Sequence, residues 1–410
     1  MNPLAPFPAR LAGFLAFVAI IIAVLVSGSL HGDFRIDESH KIAETAFFRA
    51  LLRGDVRNPG WYAHIADRTN APVGKYIYGA AILLTGGTLP ELPTLAGRGH
   101  VEAIHPPELS APYSPYLVTV RSVSMIAVAL TAALLTTILC RFHGWVSAAA
   151  ALAFYALTSL TQDYWATAVF DPLLALWFLV IIALVSAMPN AQSTKRIAAI
   201  AAGIGFFAAL AFQTRLNGLF AFMIAVPFLA FILRRSPKKA ILAIGIATCV
   251  LIPTTLTLNP LYWSSPRAPL ASFPQQDGWF RPLDRLIQQK RDLETVATPL
   301  WESRTEARTV PEKFKYLCEI VMSSLAGLLL ILSAVIGTVL LIARWRAIAP
   351  PLRIALLMSL TVVIVMVATL PMSWTRYLLV DIAPLALLGG FAIGDILRML
   401  VTNYAPRPAR

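Results

Sequence analysis

The strongest constraint on this chain is a succession of ten apolar runs, each near the length a helix needs to cross a bilayer. About 30 Å of hydrocarbon takes roughly 20 residues at 1.5 Å per residue. The runs fall at 11–30, 117–139, 145–160, 172–188, 197–212, 219–233, 240–258, 320–343, 354–370 and 377–397. The third and sixth are short and must borrow flanking residues. In lipid each segment has to satisfy its own backbone polar groups, so the runs predict an all-α polytopic membrane protein with about ten transmembrane helices. Composition excludes a soluble domain, since 58% of the 410 residues are hydrophobic and only 13% are charged. The first run has no small-residue cleavage site and further spans follow it, which reads as a retained signal anchor.

A net charge of +13 raises nucleic acid as a partner. The basic residues, however, sit in short clusters between apolar runs and not along one face, a pattern that belongs to membrane topology. With the N-terminus cytoplasmic, the inner connections collect Arg10, Arg141, Lys195, Arg196, Arg234, Arg235, Lys238, Lys239, Arg344, Arg346, Arg353, Arg398, Arg407 and Arg410. The short outer turns then hold only Arg215 and Arg376. The positive-inside rule therefore predicts both termini in the cytoplasm. Residues 1–410 read as one transmembrane domain with two large outer loops, 31–116 and 259–319. Cys140, Cys249 and Cys318 lie far apart and offer neither a disulfide framework nor a CxxC metal site.

In the first loop a helical pattern opens at Asp37, with Ile42, Ala43, Ala46, Phe47, Ala50 and Leu51 on one stripe and Glu44, Arg49 and Arg53 opposite, closed by Gly54. It predicts a helix lying flat on the membrane surface. Lys75 begins a ten-residue apolar stretch too short to span, hence interfacial or re-entrant. In the second loop Leu283, Leu286, Ile287 and Leu293 recur at helical spacing among charged residues, predicting another surface helix. Trp61, Tyr62, Trp263, Trp279 and Trp301 read as interfacial belt residues.

The candidates for chemistry cluster on the outer side. Ile36-Asp37-Glu38-Ser39-His40 places adjacent carboxylates and a histidine at a helix start. Asp37 reads equally as an N-cap or, with His40 and His64 near in sequence, as a general base for an acceptor hydroxyl. In Asn70-Ala71-Pro72-Val73-Gly74-Lys75-Tyr76 a turn presents Lys75 at a helix N-terminus, either to snorkel or to neutralise a phosphate. Arg215 and Arg376, each alone an interfacial anchor, together point to a shared anion site. Asp171 precedes Pro172 at a helix entrance, as a cap or as a site residue. Asp381 lies about one turn inside the last helix and calls for a partner, Arg376 being nearest in sequence. Arg121, at the outer start of the second helix, is either interfacial or within reach of the site.

In order and content these pieces resemble the GT-C superfamily of integral-membrane glycosyltransferases, in its protein O-mannosyltransferase and aminoarabinose transferase branch. Asp37-Glu38-Ser39-His40 is similar to the DExH motif of the mannosyltransferases. Asn70 to Lys75 resembles an HPPLGK-like turn that here lacks the histidine and one proline, Phe170-Asp171-Pro172 an acidic helix entrance, and Arg376-Tyr377-Leu378-Leu379 an RYLL-like last helix. The resemblance implies a bacterial inner-membrane enzyme with a periplasmic site that transfers a sugar with inversion from a polyprenyl-phosphate donor to a lipid, glycan or protein acceptor. Asp37 and Glu38 would be catalytic. Lys75, Arg215 and Arg376 would hold the donor phosphate, supported by His40, Asp171, Tyr377, Asp381 and Arg121. No metal cluster is evident. A divalent cation, Mg or Mn, held by Asp37, Glu38 or Asp171 with the phosphate is compatible with the residues. The chief rival is a secondary transporter or lipid flippase, which would carry broken helices, midplane polar groups and internal symmetry. A non-catalytic assembly subunit is the third reading.

Overall fold

The structure, a computed structural model, describes residues 8–31, 33–35, 38–58, 61, 71–90, 111–264, 282–302, 309–370 and 375–404. Asp37, His64 and Asn70 lie outside them. Among the described residues every regular element is helical. In chain order these are α1 (Ala9–Val26), α2 (Glu38–Ala43), α3 (Ala46–Leu52), α4 (Pro72–Leu84), α5 (Leu117–Phe142), α6 (Trp145–Leu157), α7 (Ser159–Tyr164) and α8 (Asp171–Ala187). They continue as α9 (Thr194–Phe212), α10 (Leu219–Ile232), α11 (Pro237–Leu258), α12 (Pro282–Glu302), α13 (Val310–Val321), α14 (Leu325–Ala343), α15 (Pro350–Ala368) and α16 (Leu379–Tyr404).

Among the described residues eight helical stretches are long and apolar enough to cross a membrane, and two shorter apolar helices, Trp145–Leu157 and Leu216–Ile232, bring the set to ten. The chain is thus a multi-pass membrane protein, all-helical over its described residues. The two short members are the third and sixth, as the run lengths predict. Helix α16 runs through the middle of the bundle: its apolar window is 94% buried, against 22% for α1 and for α11, which face outward. Small residues let the backbones close up. A Cβ on Gly337 of α14 would lie 2.3 Å from the Leu388 carbonyl of α16, and one on Gly205 of α9 would lie 2.2 Å from the Ala247 carbonyl of α11. Close approach of this kind replaces the hydrophobic drive that lipid removes.

Three expectations are corrected. The eighth run is not one helix, because the chain turns between Val321 and Leu325, where the Ser324 hydroxyl accepts from Gly327 N at 3.2 Å and caps α14. That leaves α13 as a separate amphipathic helix against α15, opened by a Thr309–Glu312 capping box. The single surface helix expected from Asp37 onward is divided, with α2 ending at Ala43 and α3 starting at Ala46; Thr45 Oγ1 donates back to the Ile42 carbonyl at 2.6 Å. Nor does α2 lie out on a surface, since all six of its residues are buried. Gly54 does close α3, with a φ of 67°. Trp61 is no belt residue: it is buried on Phe47 at 4.8 Å between ring centroids and donates to the Asp55 carbonyl at 3.0 Å.

The short helices α2, α3 and α4, the entrances of α5, α8 and α16, and the exit of α9 all meet at one end of the bundle. Of the candidate residues, Glu38, Lys75, Arg121, Asp171, Arg215, Arg376 and Tyr377 are found there.

Candidate active site

Glu38 opens α2 and is fully buried. One carboxylate oxygen accepts from Arg121 Nε at 2.9 Å and from the Ala168 amide at 2.7 Å, and the other from Arg121 Nη2 at 2.7 Å and from the Arg35 amide at 2.7 Å. Arg121 comes from the first turns of α5 and is 1% exposed; it also donates to the Asp33 carbonyl at 2.7 Å and to the Leu30 carbonyl at 3.3 Å. A two-pronged arginine–carboxylate pair with its remaining donors satisfied is the form in which two charges tolerate burial. It pins the exit of α1, the start of α2 and the strip 163–171 to one another. Arg35 reinforces the same junction, reaching the Asp163 carbonyl and Thr167 Oγ1. Arg121 is therefore neither interfacial nor exposed, and Glu38, grouped with Asp37 by sequence, has both oxygens already engaged.

A second ion pair forms four residues beyond Thr167. Asp171 begins α8, and its Oδ2 accepts from Arg215 Nη2 at 2.8 Å. Arg215 Nη1 donates to Tyr377 Oη at 3.1 Å, and its guanidinium lies 4.9 Å from the centre of that ring. The Arg376 guanidinium is 5.8 Å from the same ring. Asp171, Arg215, Arg376 and Tyr377, spread over more than 200 positions, are thus brought together around one phenol. Asp171 Oδ1 is buried without a hydrogen-bonding partner.

Lys75 belongs to a third group. It sits at the N-terminus of α4, its Nζ 3.4 Å from Glu44 Oε1 and 4.0 Å from the centre of the Phe47 ring. Lys41 Nζ meets Glu44 Oε2 at 2.9 Å and lies 5.0 Å from the Phe170 ring, while His40 Nε2 is 3.5 Å from Glu44 Oε1. Burial raises the Glu44 pKa, but Lys41, Lys75 and His40 together outweigh it and hold the carboxyl well below its ordinary value.

Phe170 joins the three groups. It precedes Asp171 in the chain, stacks on Tyr78 at 5.2 Å, faces Lys41 and fills the space beside Gly74, where a Cβ would lie 2.4 Å from its ring. Tyr78 donates to the Val169 carbonyl at 2.6 Å, and burial pushes its phenol above the ordinary range. The Val73 amide donates to the Gln213 carbonyl at 2.7 Å, tying the start of α4 to the turn that carries Arg215.

Sequence reasoning missed Arg35, Lys41, Glu44, Tyr78 and Phe170. Lys41 and Glu44 had a readable signal, an i,i+3 pair one turn after the acidic motif, but the amphipathic pattern assigned Glu44 to the outward face. Asp381 does not join the site: it is fully buried, and neither of its oxygens has a hydrogen-bonding partner, so the expected pairing with Arg376 is not made. Of the described members of the proposed metal set, Glu38 spends both oxygens on Arg121 and backbone amides, while Asp171 gives Oδ2 to Arg215 and leaves Oδ1 without a partner.

No protein-family model matches the sequence. No curated protein matches it either. Among solved structures the chain is similar to ArnT from Cupriavidus metallidurans, described as bound to undecaprenyl phosphate, at 13% identity and a TM-score of 0.39, over 96% of this chain and 81% of that one. A likeness that loose carries no argument about function. What stands without it is a helical membrane protein with buried, paired charges gathered at one end.

Proposed function

We propose that this chain is an inverting glycosyltransferase that moves a sugar from a polyprenyl-phosphate donor to an acceptor hydroxyl, amine or phosphate on the periplasmic face. The observation that carries the reading is the meeting of Asp171, Arg215, Arg376 and Tyr377 with the Glu38–Arg121 pair around residues 163–171. A donor of this class has a tail that must stay in lipid and a phosphate that must be paired, and cations buried at the rim of an apolar bundle meet both needs.

Asp37 takes the proton of the acceptor, whose heteroatom bonds to the anomeric carbon. The bond from that carbon to the donor phosphate oxygen breaks, and its electron pair leaves with polyprenyl phosphate. Arg215 and Arg376 stabilise the charge that develops there, and Lys75 adds positive potential from the Glu44 side. Glu38 acts as a positioning residue: it and Arg35, on either side of position 37, are both tied to residues 163–168.

The test is transfer of a radiolabelled sugar from purified polyprenyl-phosphate donors by wild type and Asp37→Asn. Loss of a general base predicts a fall in turnover on the order of 10² to 10⁴. Equal turnover by the two proteins removes the assignment.

A further inference from the structure

The far end of the bundle carries a cavity of about 430 Å³ lined by Ile342, Ala343, Arg344, Trp345, Arg346 and Ala347, in the turn between α14 and α15. We propose that this turn is a binding site for the phosphate headgroup of an anionic phospholipid.

Arg346 is exposed at the cavity, and Arg344 is half-buried, its Nη1 held by Asp395 Oδ2 at 2.6 Å. Trp345 lies between them; the Arg353 guanidinium sits 4.7 Å from its ring centre and donates through Nη2 to the Ile348 carbonyl at 2.8 Å. Arg353 Nε is buried and makes no hydrogen bond. Three guanidiniums against one carboxylate leave this turn with an excess of positive charge. Arginine forks suit phosphate oxygens, and an indole suits the headgroup layer.

The apolar approach to the cavity selects a lipid over a free anion. Leu332, Val335, Val339 and Ile342 of α14 are all exposed and form a stripe that ends at the turn. An acyl chain laid along that stripe delivers its phosphate to Arg346, the arrangement by which basic pockets between membrane helices retain acidic lipids.

The purified full chain in detergent is incubated with phosphatidylglycerol and with phosphatidylcholine of the same acyl chains, and retained lipid is read by native mass spectrometry. Wild type retains phosphatidylglycerol in preference to phosphatidylcholine. Arg346→Glu, at an exposed position, lowers phosphatidylglycerol retention on the order of tenfold. Arg10→Glu, exposed at the same end but on α1, leaves retention unchanged. Undiminished retention by Arg346→Glu, an equal loss in Arg10→Glu, or displacement of the lipid by millimolar inorganic phosphate would each overturn the proposal, the second reducing it to general surface charge and the third to a soluble-anion site.

Discussion

The two ends of the bundle hold charges in contrasting ways. At the candidate site Glu38, Arg121, Glu44, Lys75 and Asp171 are each at most 2% exposed, and every pair spans elements far apart in sequence or a break between helices. At the far end Asp395 is shared by Arg344, whose side chain is 38% exposed, and by His143, whose Nε2 is 3.7 Å away. The Arg398 side chain also reaches the His143 carbonyl. Both ends clasp helices with ion pairs, but at the far end the Arg344 partner of Asp395 stays in contact with water. Burying a charge costs several kcal/mol before pairing recovers it, and the candidate site buries three carboxylates, Glu38, Glu44 and Asp171, with five cations, Lys41, Lys75, Arg121, Arg215 and Arg376.

The largest effect is expected from removing one member of the buried set. Arg121→Ala leaves Glu38 charged, buried and facing two amides, and is expected to cost roughly 3–5 kcal/mol. Arg121→Lys recovers only part, because an ammonium does not reproduce the fork that meets both carboxylate oxygens. Denaturant or thermal unfolding in detergent measures both. A loss under 1 kcal/mol for the alanine variant would mean that the pair is solvated and the contrast between the ends is not real.

Acid acts on the two ends in different pH windows. The folded Glu44 carboxyl titrates below its ordinary value of 4.5, so the unfolded chain binds its proton first as pH falls. Its contribution is present above pH 4.5 and is lost as pH drops toward the folded value. Glu44→Gln therefore lowers stability at pH 7 by roughly 1.5–3 kcal/mol, the worth of hydrogen bonds between charged groups. It also flattens the decline below pH 4.5. His143 at the other end is held down to about 4, chiefly by burial and then by Arg398. It loses stability in a higher window, from about 6.5 downward, so His143→Gln flattens that part of the profile and leaves the part below pH 4.5 to Glu44. Stability against pH for the two variants separates the ends, and identical profiles would show that one cluster dominates both windows.

How much of this was legible in the sequence follows from the same contrast. The ten apolar runs, the two short ones and the helix from Pro282 all came from periodicity and length, because those signals are local. Arg215 and Arg376 stood out because they break the charge bias of their turns. The sharing of one tyrosine ring by both depends on α8, α9 and α16 converging, which no window of sequence contains. The pairing of Glu38 with Arg121 was not legible for the opposite reason: the partner lies 83 positions away, beyond any local pattern. Glu44 was placed outside because a single helix through residue 44 would turn it to solvent, whereas the break at Thr45 turns it onto two lysines.

The smallest expected effect comes from the far end. Arg344→Ala removes one partner of Asp395, but the arginine is more than a third exposed, so water and salt already screen the pair and the cost is about 1 kcal/mol or less. His143 remains within reach of the carboxylate, and burial keeps that ring neutral near pH 7, so Asp395 is left with a hydrogen-bonding neighbour but no added charge. Raising salt from 0.05 to about 0.5 M shrinks the Debye length to roughly 4 Å. It should erase most of the difference between wild type and Arg344→Ala while leaving the Arg121→Ala deficit intact. If salt instead narrows the Arg121→Ala gap to the same degree, the Glu38–Arg121 pair is reached by solvent ions, and the enclosure that distinguishes the candidate site from the rest of the molecule is lost.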